Sequence, residues 1–209
     1  VRRIRQAMEY RERIEVDETV CRLVWSESDG MPGLIVDRYG DHLTVQTLTL
    51  AMDLRKDLIR DALVELLAPK SIVLRNDSPS RKAEGMEPGI EMLYGENPGA
   101  FIVRANDLDF EVDLFDGQKT GLYLDQLQSH AEVARLAAGK RVLDCFSNQG
   151  GFALACAKAG AAKVTAVDVS ASACEAARKN SERNGLAIEV LEHNVFDFLK
   201  HAEPEYDLI

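Results

Sequence analysis

From about residue 106 onward short apolar runs alternate with helical stretches, and this alternation restricts the possible fold more than any other feature of the chain. Leu122–Ala138 reads as a helix ending at Gly139, Arg141–Phe146 as a strand, and Phe152–Ala159 as a helix closed by Gly160. Lys163–Val169 is a second strand, and Ser172-x-x-Glu175 has the form of a capping box for a helix running through Ala176 and Ala177 to Gly185. Ile188–Leu191 gives a third strand, Val195–Lys200 a short helix, and Tyr206–Ile209 the start of a fourth strand. Strands joined by whole helices are not hairpins, so they predict a parallel sheet with right-handed crossovers.

The first half has a different rhythm. Residues 1–16 form a charged helix with Ile4 and Met8 or Ala7 on its apolar stripe. Strands are expected at Cys21–Trp25, Leu34–Arg38 and Leu43–Leu50, the last two linked by the short hairpin connection Tyr39-Gly40-Asp41-His42. Asp53–Leu67 is helical by period, with Leu54, Leu58, Ile59, Ala62, Leu63 and Leu66 on one side, and Pro69 stops it. Ser71–Arg75 is a strand, 76–89 a polar loop, and Ile102–Phe115 holds at least one more strand. The expected division is therefore a linker helix over 1–19, a small α+β module over 20–105, and the first half of an α/β domain over 106–209. In the module the Asp and Arg residues read as turn formers.

Composition narrows the function classes. The 209 residues carry a formal net charge of −10, which disfavours a general nucleic-acid coat, yet Arg2, Arg3, Arg5, Arg11 and Arg13 face only Glu9 and Glu12 at the start. That local surplus fits either a solvated helix face or an RNA contact. Cys21, Cys145, Cys156 and Cys174 are scattered, and so are the four histidines, which predicts reduced thiols in a cytoplasmic protein and no metal site. No apolar run approaches the roughly 20 residues of a membrane span. The chain opens on Val1, so an upstream segment is expected.

The chemistry is concentrated in Val142-Leu143-Asp144-Cys145-Phe146-Ser147-Asn148-Gln149-Gly150-Gly151-Phe152, an apolar strand that ends in an acid, a loop, and two glycines opening a helix. Open α/β sheets bind ligands beyond the carboxyl ends of their strands. Gly150 and Gly151 would let a ligand approach the backbone, and the helix start offers N–H groups suited to a carboxylate. A dinucleotide fingerprint would need glycine where Phe146 and Asn148 stand, so a pyrophosphate cofactor fits poorly. S-adenosylmethionine (SAM), which has no phosphate, fits better. Asp168 ends the second strand 24 residues after Asp144 and can accept ribose hydroxyls, with Val169 and Ser170 following it. Asp197 follows the third strand and can accept from an adenine amino group, beside the backbone of Asn194 and Val195. A lone Asp at a strand end is more often a surface cap; three in succession, with the Gly150-Gly151 bend among them, favour a ligand.

Three segments carry a resemblance to a known family: residues 28–40 (Ser-Asp-Gly-Met-Pro-Gly-Leu-Ile-Val-Asp-Arg-Tyr-Gly), 117–126 (Gly-Gln-Lys-Thr-Gly-Leu-Tyr-Leu-Asp-Gln), and 145–152 (Cys-Phe-Ser-Asn-Gln-Gly-Gly-Phe). They resemble the class I SAM-dependent methyltransferases of the ribosomal RNA large-subunit methyltransferase I type, which make 5-methylcytosine. The resemblance covers nearly the whole chain and implies a Rossmann-like catalytic domain preceded by an α+β module, with an RNA-binding PUA domain further upstream. It implies that Asp168 holds the cofactor ribose, Asp197 the adenine, and Asp144 with the Phe146-Ser147-Asn148 and Gly150-Gly151 loop the methionine moiety. The 117–126 segment, with Tyr123 and Gln126, would line the cofactor and target pocket, and ribosomal RNA would be the partner. Leu127 stands where family members often have Arg, so no arginine is assigned there. The family's catalytic loop and cysteine lie past the fourth strand, so the catalytic residues are expected beyond Ile209 and the chain alone is expected to be inactive. An unfinished sheet edge would favour self-association, a homodimer among the outcomes.

Overall fold

A computed structural model describes every residue except 15, 18, 116–120, 202 and 204. The chain forms two compact units, one of residues 1–103 and 112–124, the other of residues 104–111 and 125–209.

In the first unit, helix α1 (Arg2–Arg13) precedes strand β1 (Val20–Trp25), with β2 (Leu34–Tyr39) and β3 (His42–Thr47) forming the expected hairpin. The short α2 (Leu50–Asp53) and α3 (Lys56–Leu67) carry the chain across to β4 (Ser71–Asn76), and β5 (Gly89–Gly95) completes a five-stranded sheet ordered β1-β2-β3-β4-β5. Only the β3–β4 pair is parallel, because only that connection contains helices. Ile4 and Ala7 of α1, and Ile59, Ala62 and Leu63 of α3, bury against Val36, Leu43, Val45 and Ile72 of the sheet.

Several expectations for this unit change. The single helix over 53–67 is broken at Leu54-Arg55, which leaves Leu54 out in solvent rather than on the apolar side, and Leu58, at the margin of the α3 stripe, is exposed as well. The loop over 76–89 holds a 3-10 turn (Pro79–Glu84), and its Arg81 is buried, donating to Asp53 Oδ1 at 3.0 Å. Polar side chains also sit inside the sheet, contrary to the turn-former reading. Asp37 is fully buried and takes two bonds from Arg22 at 2.7 and 3.0 Å. The phenol of Tyr39, also fully buried, accepts from the Leu122 N–H at 3.1 Å, and a side chain at Gly121 would strike its ring.

Strands β6 (Ala100–Ala105) and β7 (Leu108–Asp113) pair as a two-stranded ladder, so the expected extra strand is one arm of a hairpin. Asn106 and Asp107, at φ 51° and 58°, supply two consecutive left-handed residues for its tight turn.

The second unit is built on β8 (Arg141–Cys145), β9 (Lys163–Asp168) and β10 (Glu189–Glu192), all parallel and ordered β10-β9-β8. Before the sheet come a 3-10 turn (Leu124–Gln126) and α4 (Leu127–Ala134), shorter than the predicted 122–138 helix. The crossovers are α5 (Gly151–Lys158) and α6 (Ala171–Arg183), and α7 (Val195–His201) follows β10. Leu208 forms a parallel bridge to Val142 on the free side of β8. Strand order therefore reverses at β8, which is the topological switch point at which such sheets open a ligand crevice. This is an α/β Rossmann-like arrangement. Asn184 and Asn180 of α6 reach the hairpin, where the Asp109 N–H donates to Asn184 Oδ1 at 2.8 Å and the Glu111 N–H to Asn180 Oδ1 at 3.2 Å.

Candidate functional site

The carboxyl end of β8 runs into a loop that needs external support. Phe146, Asn148 and Gly150 all have positive φ, at 60°, 47° and 82°. For the two residues with side chains this conformation costs on the order of 1–3 kcal/mol each. Asp168, at the tip of β9, supplies much of the compensation. Its Oδ2 accepts the Asn148 N–H at 2.9 Å, while its Oδ1 accepts the Ser170 N–H, also at 2.9 Å. The Ser147 N–H donates to Val167 O at 3.1 Å, and Gly150 closes the turn onto Ser147 O at 2.8 Å. A carboxylate oxygen has two lone pairs, so Asp168 braces the loop and still has one acceptor site per oxygen to offer.

Asp144 lies beneath this loop. It is buried, and its Oδ2 accepts the N–H of Ala153 in the first turn of α5 at 3.0 Å. Burial pushes its carboxyl up to about 7, against the lowering effect of the Ala153 bond and with a smaller push from the Asp168 charge.

The two glycines have a different reason from the one their sequence position suggests. A Cβ on Gly151 would lie 2.4 Å from Cε1 of His130, so this glycine makes room for an imidazole and not primarily for a ligand. Gly150 combines its left-handed φ with close packing, since a Cβ there would lie 3.3 Å from the Cβ of Ala177. His130, on α4, is buried edge-on to Phe152 at 4.3 Å between ring centroids. Desolvation lowers its pKa to about 4, so the ring is neutral at pH 7. Nothing in the spacing of the histidines singled it out; only the contact with Gly151 does.

The third strand tip adds the rest. Asn194 caps α7, accepting the Asp197 N–H at 3.2 Å, while Val195 is buried under the helix. Asp197 is exposed and takes Lys200 Nζ at 2.7 Å. The His193 N–H donates to Asp168 O at 2.9 Å, tying this tip to the second. Three large apolar side chains stand open to solvent around these tips: Phe146 at 58%, Val169 at 67% and Phe196 at 66%. The Phe146 and Phe196 rings meet edge to face at 5.5 Å. Exposed rings beside a carboxylate suit a flat heteroaromatic group joined to a diol. Phe196 was not foreseen, since inside a helical pattern it reads as a core residue.

The structure thus brings together Asp144, Phe146, Ser147, Asn148, Gly150, Gly151, Asp168, Val169, Ser170, Asn194, Val195 and Asp197. Ser170, and not the predicted Ser172 box, caps α6, its Oγ accepting the Ala173 N–H at 3.3 Å. Gln126 ends the 3-10 turn before α4, and Tyr123 belongs to the first unit. Residues 117–120, including Gln118 and Lys119, lie outside the described residues. Among the described residues no His, Cys, Asp or Glu group could hold a metal ion, and no helix is long and apolar enough to cross a membrane.

Comparison with known proteins bears on the family and the fold. Residues 81–207 match the family model described as S-adenosylmethionine-dependent methyltransferase. A ribosomal RNA large subunit methyltransferase I from Aeromonas salmonicida is 38% identical over 96% of the chain, and one from Shewanella denitrificans is 40% identical over 98%. The chain spans about half the length of these curated relatives, 52% and 53%. The crystal structure of SMU.776 complexed with S-adenosylhomocysteine (SAH) superposes with a TM-score of 0.83 at 26% identity, covering 96% of this chain and 53% of that one.

Proposed function

The chain belongs to the S-adenosylmethionine-dependent methyltransferase family, and on that premise we propose that its second unit holds the cofactor for methylation of large-subunit ribosomal RNA, at C5 of a cytosine. The supporting observation is the double duty of Asp168, which braces the left-handed loop through Asn148 and keeps an acceptor site on each oxygen for a ribose diol.

The donor set fits the group. Ser147 Oγ is buried without a hydrogen-bond partner, an orphan that a bound polar group would satisfy. Phe146, Val169 and Phe196 offer the apolar surface an adenine requires, with Asp197 and the Asn194-Val195 backbone to read its edge. The Ser147–Gly150 loop, held from below by Asp144, would take the amino acid end. When bound, the cofactor supplies an electrophilic methyl group on a sulfonium.

Attack by cytosine C5 requires a thiolate to add at C6 first. None of the chain's four cysteines is set up for that. Burial pushes the Cys21 and Cys156 thiols up to about 11, and it raises those of Cys145 and Cys174 as well. We therefore assign these 209 residues cofactor binding without turnover of their own.

Two measurements test the reading. Calorimetry should show SAH binding to the chain, no binding of NAD, and loss of SAH binding in Asp168→Ala. Labelled methyl from SAM should enter large-subunit ribosomal RNA with the natural protein and not with these residues alone. Turnover by the chain itself would overturn the cofactor-only assignment, and absence of incorporation with the natural protein would overturn the RNA assignment.

A further inference from the structure

We propose that the corner of the first unit formed by α1 and the end of β1 is a stacking surface for single-stranded RNA; the proposal rests on the reading of RNA as substrate. Tyr10 and Trp25 are both exposed there, at 45% and 44%. Each ring already carries guanidinium groups: those of Arg11 and Arg13 lie 5.6 and 5.4 Å from the Tyr10 centroid, and that of Arg22 lies 4.6 Å from Trp25.

Arg11 joins the two elements that carry these rings. It donates to both carboxylate oxygens of Asp29, whose Oδ2 also accepts the backbone N–H of Trp25, and its Nε donates to Arg22 O at 3.1 Å. Arg22 is fixed in turn by the buried Asp37. These ion pairs set the guanidinium planes and lower the entropy lost when a base or phosphate arrives. Between α1 and β1, a groove of about 230 Å³ is lined by Arg5, Met8, Arg11, Cys21, Leu23 and Arg38, with Glu9 and Glu12.

Charge selects the occupant. The chain is strongly acidic, yet α1 carries five arginines against two glutamates, and with Arg11 paired to Asp29 the surplus rests on Arg2, Arg3, Arg5 and Arg13. Exposed aromatic rings interleaved with arginines favour a strand that is both flat-faced and anionic, and single-stranded nucleic acid has both properties. Duplex RNA hides its base faces and offers only phosphates.

Trp25 is the only tryptophan, so its fluorescence reports this corner alone. Titration with a uridine-rich 12-mer should quench it saturably, with affinity falling as salt rises. A duplex of the same length and poly-L-glutamate should bind more weakly and leave the fluorescence unchanged. By anisotropy of labelled 12-mer, Tyr10→Ala and Trp25→Ala should each weaken binding about tenfold, whereas Tyr10→Phe and Trp25→Phe should retain it. Circular dichroism melts check that each variant folds. Wild-type affinity in both alanine variants overturns the proposal, as does equal quenching by duplex or poly-L-glutamate, the latter marking an acidic protein partner. The titration contains no cofactor, so a failure of ribosomal RNA as methyl acceptor would count against the substrate reading and leave this result standing.

Discussion

The buried carboxyl of Asp144 gives the second unit a pH dependence that can be worked out from its surroundings. Its pKa stands near 7 in the fold, against 3.8 for the free group, because burial disfavours the charged form more than the single Ala153 N–H favours it. Between about pH 4 and pH 7 the native chain therefore keeps a proton that the unfolded chain releases. Stability from this group is fully present below pH 4 and falls as pH rises to 7. A shift of about three pH units, at about 1.4 kcal/mol each, sets an upper bound of about 4 kcal/mol. His130 slopes the other way. Held neutral with its pKa near 4, it adds stability as pH rises from about 4 to 6.5, so the raw profile mixes the two. The difference between wild type and Asp144→Asn isolates the carboxyl, since the amide is isosteric and its oxygen can still accept from Ala153. Urea denaturation followed by circular dichroism should show the variant gaining relative to wild type as pH rises, reaching about 2–4 kcal/mol at pH 8. The side-chain carbon-13 shift of Asp144 should titrate near neutrality. A midpoint below 5, or parallel stability profiles for the two proteins, would refute the argument.

Three further outcomes follow from the same structure. Gly151→Ala places a methyl 2.4 Å from the His130 ring and should destabilise by about 1–3 kcal/mol, and adding His130→Ala should relieve part of that cost, so strictly additive urea midpoints would exclude the clash. Asp168→Ala removes the acceptors of the Asn148 and Ser170 N–H groups and should weaken SAH binding by about a hundredfold or more, with Asp168→Asn in between; unchanged calorimetric affinity would show that the loop holds itself. Tyr39→Phe leaves the Leu122 N–H without its phenol and should cost about 1–3 kcal/mol in thermal or urea unfolding, so a neutral result would mean that another group takes that N–H.

The parallel half was legible because its signals are local and repeat. Each strand is an apolar run short enough to count, each helix has a stop, and the acids Asp144 and Asp168 fall at the strand tips where the sheet places them. The module was read less well, for a reason visible in Arg81 and Asp37. A charged side chain in a polar loop or an alternating strand looks solvent-facing until its partner is known, and the partners, Asp53 for Arg81 and Arg22 for Asp37, lie 28 and 15 residues away. Leu54 failed for a different reason: a helical period predicts a shared face only while the helix is unbroken, and the break at Leu54-Arg55 separates it from α3, whereas Leu58, inside α3, sits at the margin of the buried stripe and stays exposed.

Gly151 shows how a position can be read correctly while its cause is not. Its place after an acid-ended strand and before a helix is a sound reason to expect a bare backbone, and a ligand is the usual explanation. Here the atom that would collide with a Cβ belongs to His130, on a helix that the sequence places 21 residues earlier with no distinguishing pattern. The glycine therefore acts on the site at one remove. It lets a neutral imidazole pack under the start of α5, fixing the helix whose Ala153 N–H meets Asp144. Asp168 fixes the other end of the same loop through Asn148. Two supports, a buried imidazole and a half-buried carboxylate, act on one strained turn and preorganise the loop before any ligand arrives, so that less of the binding energy is lost to ordering it. By that reasoning, softening the His130 side should weaken SAH binding chiefly through slower association with an unready loop, and removing Asp168 chiefly through faster release.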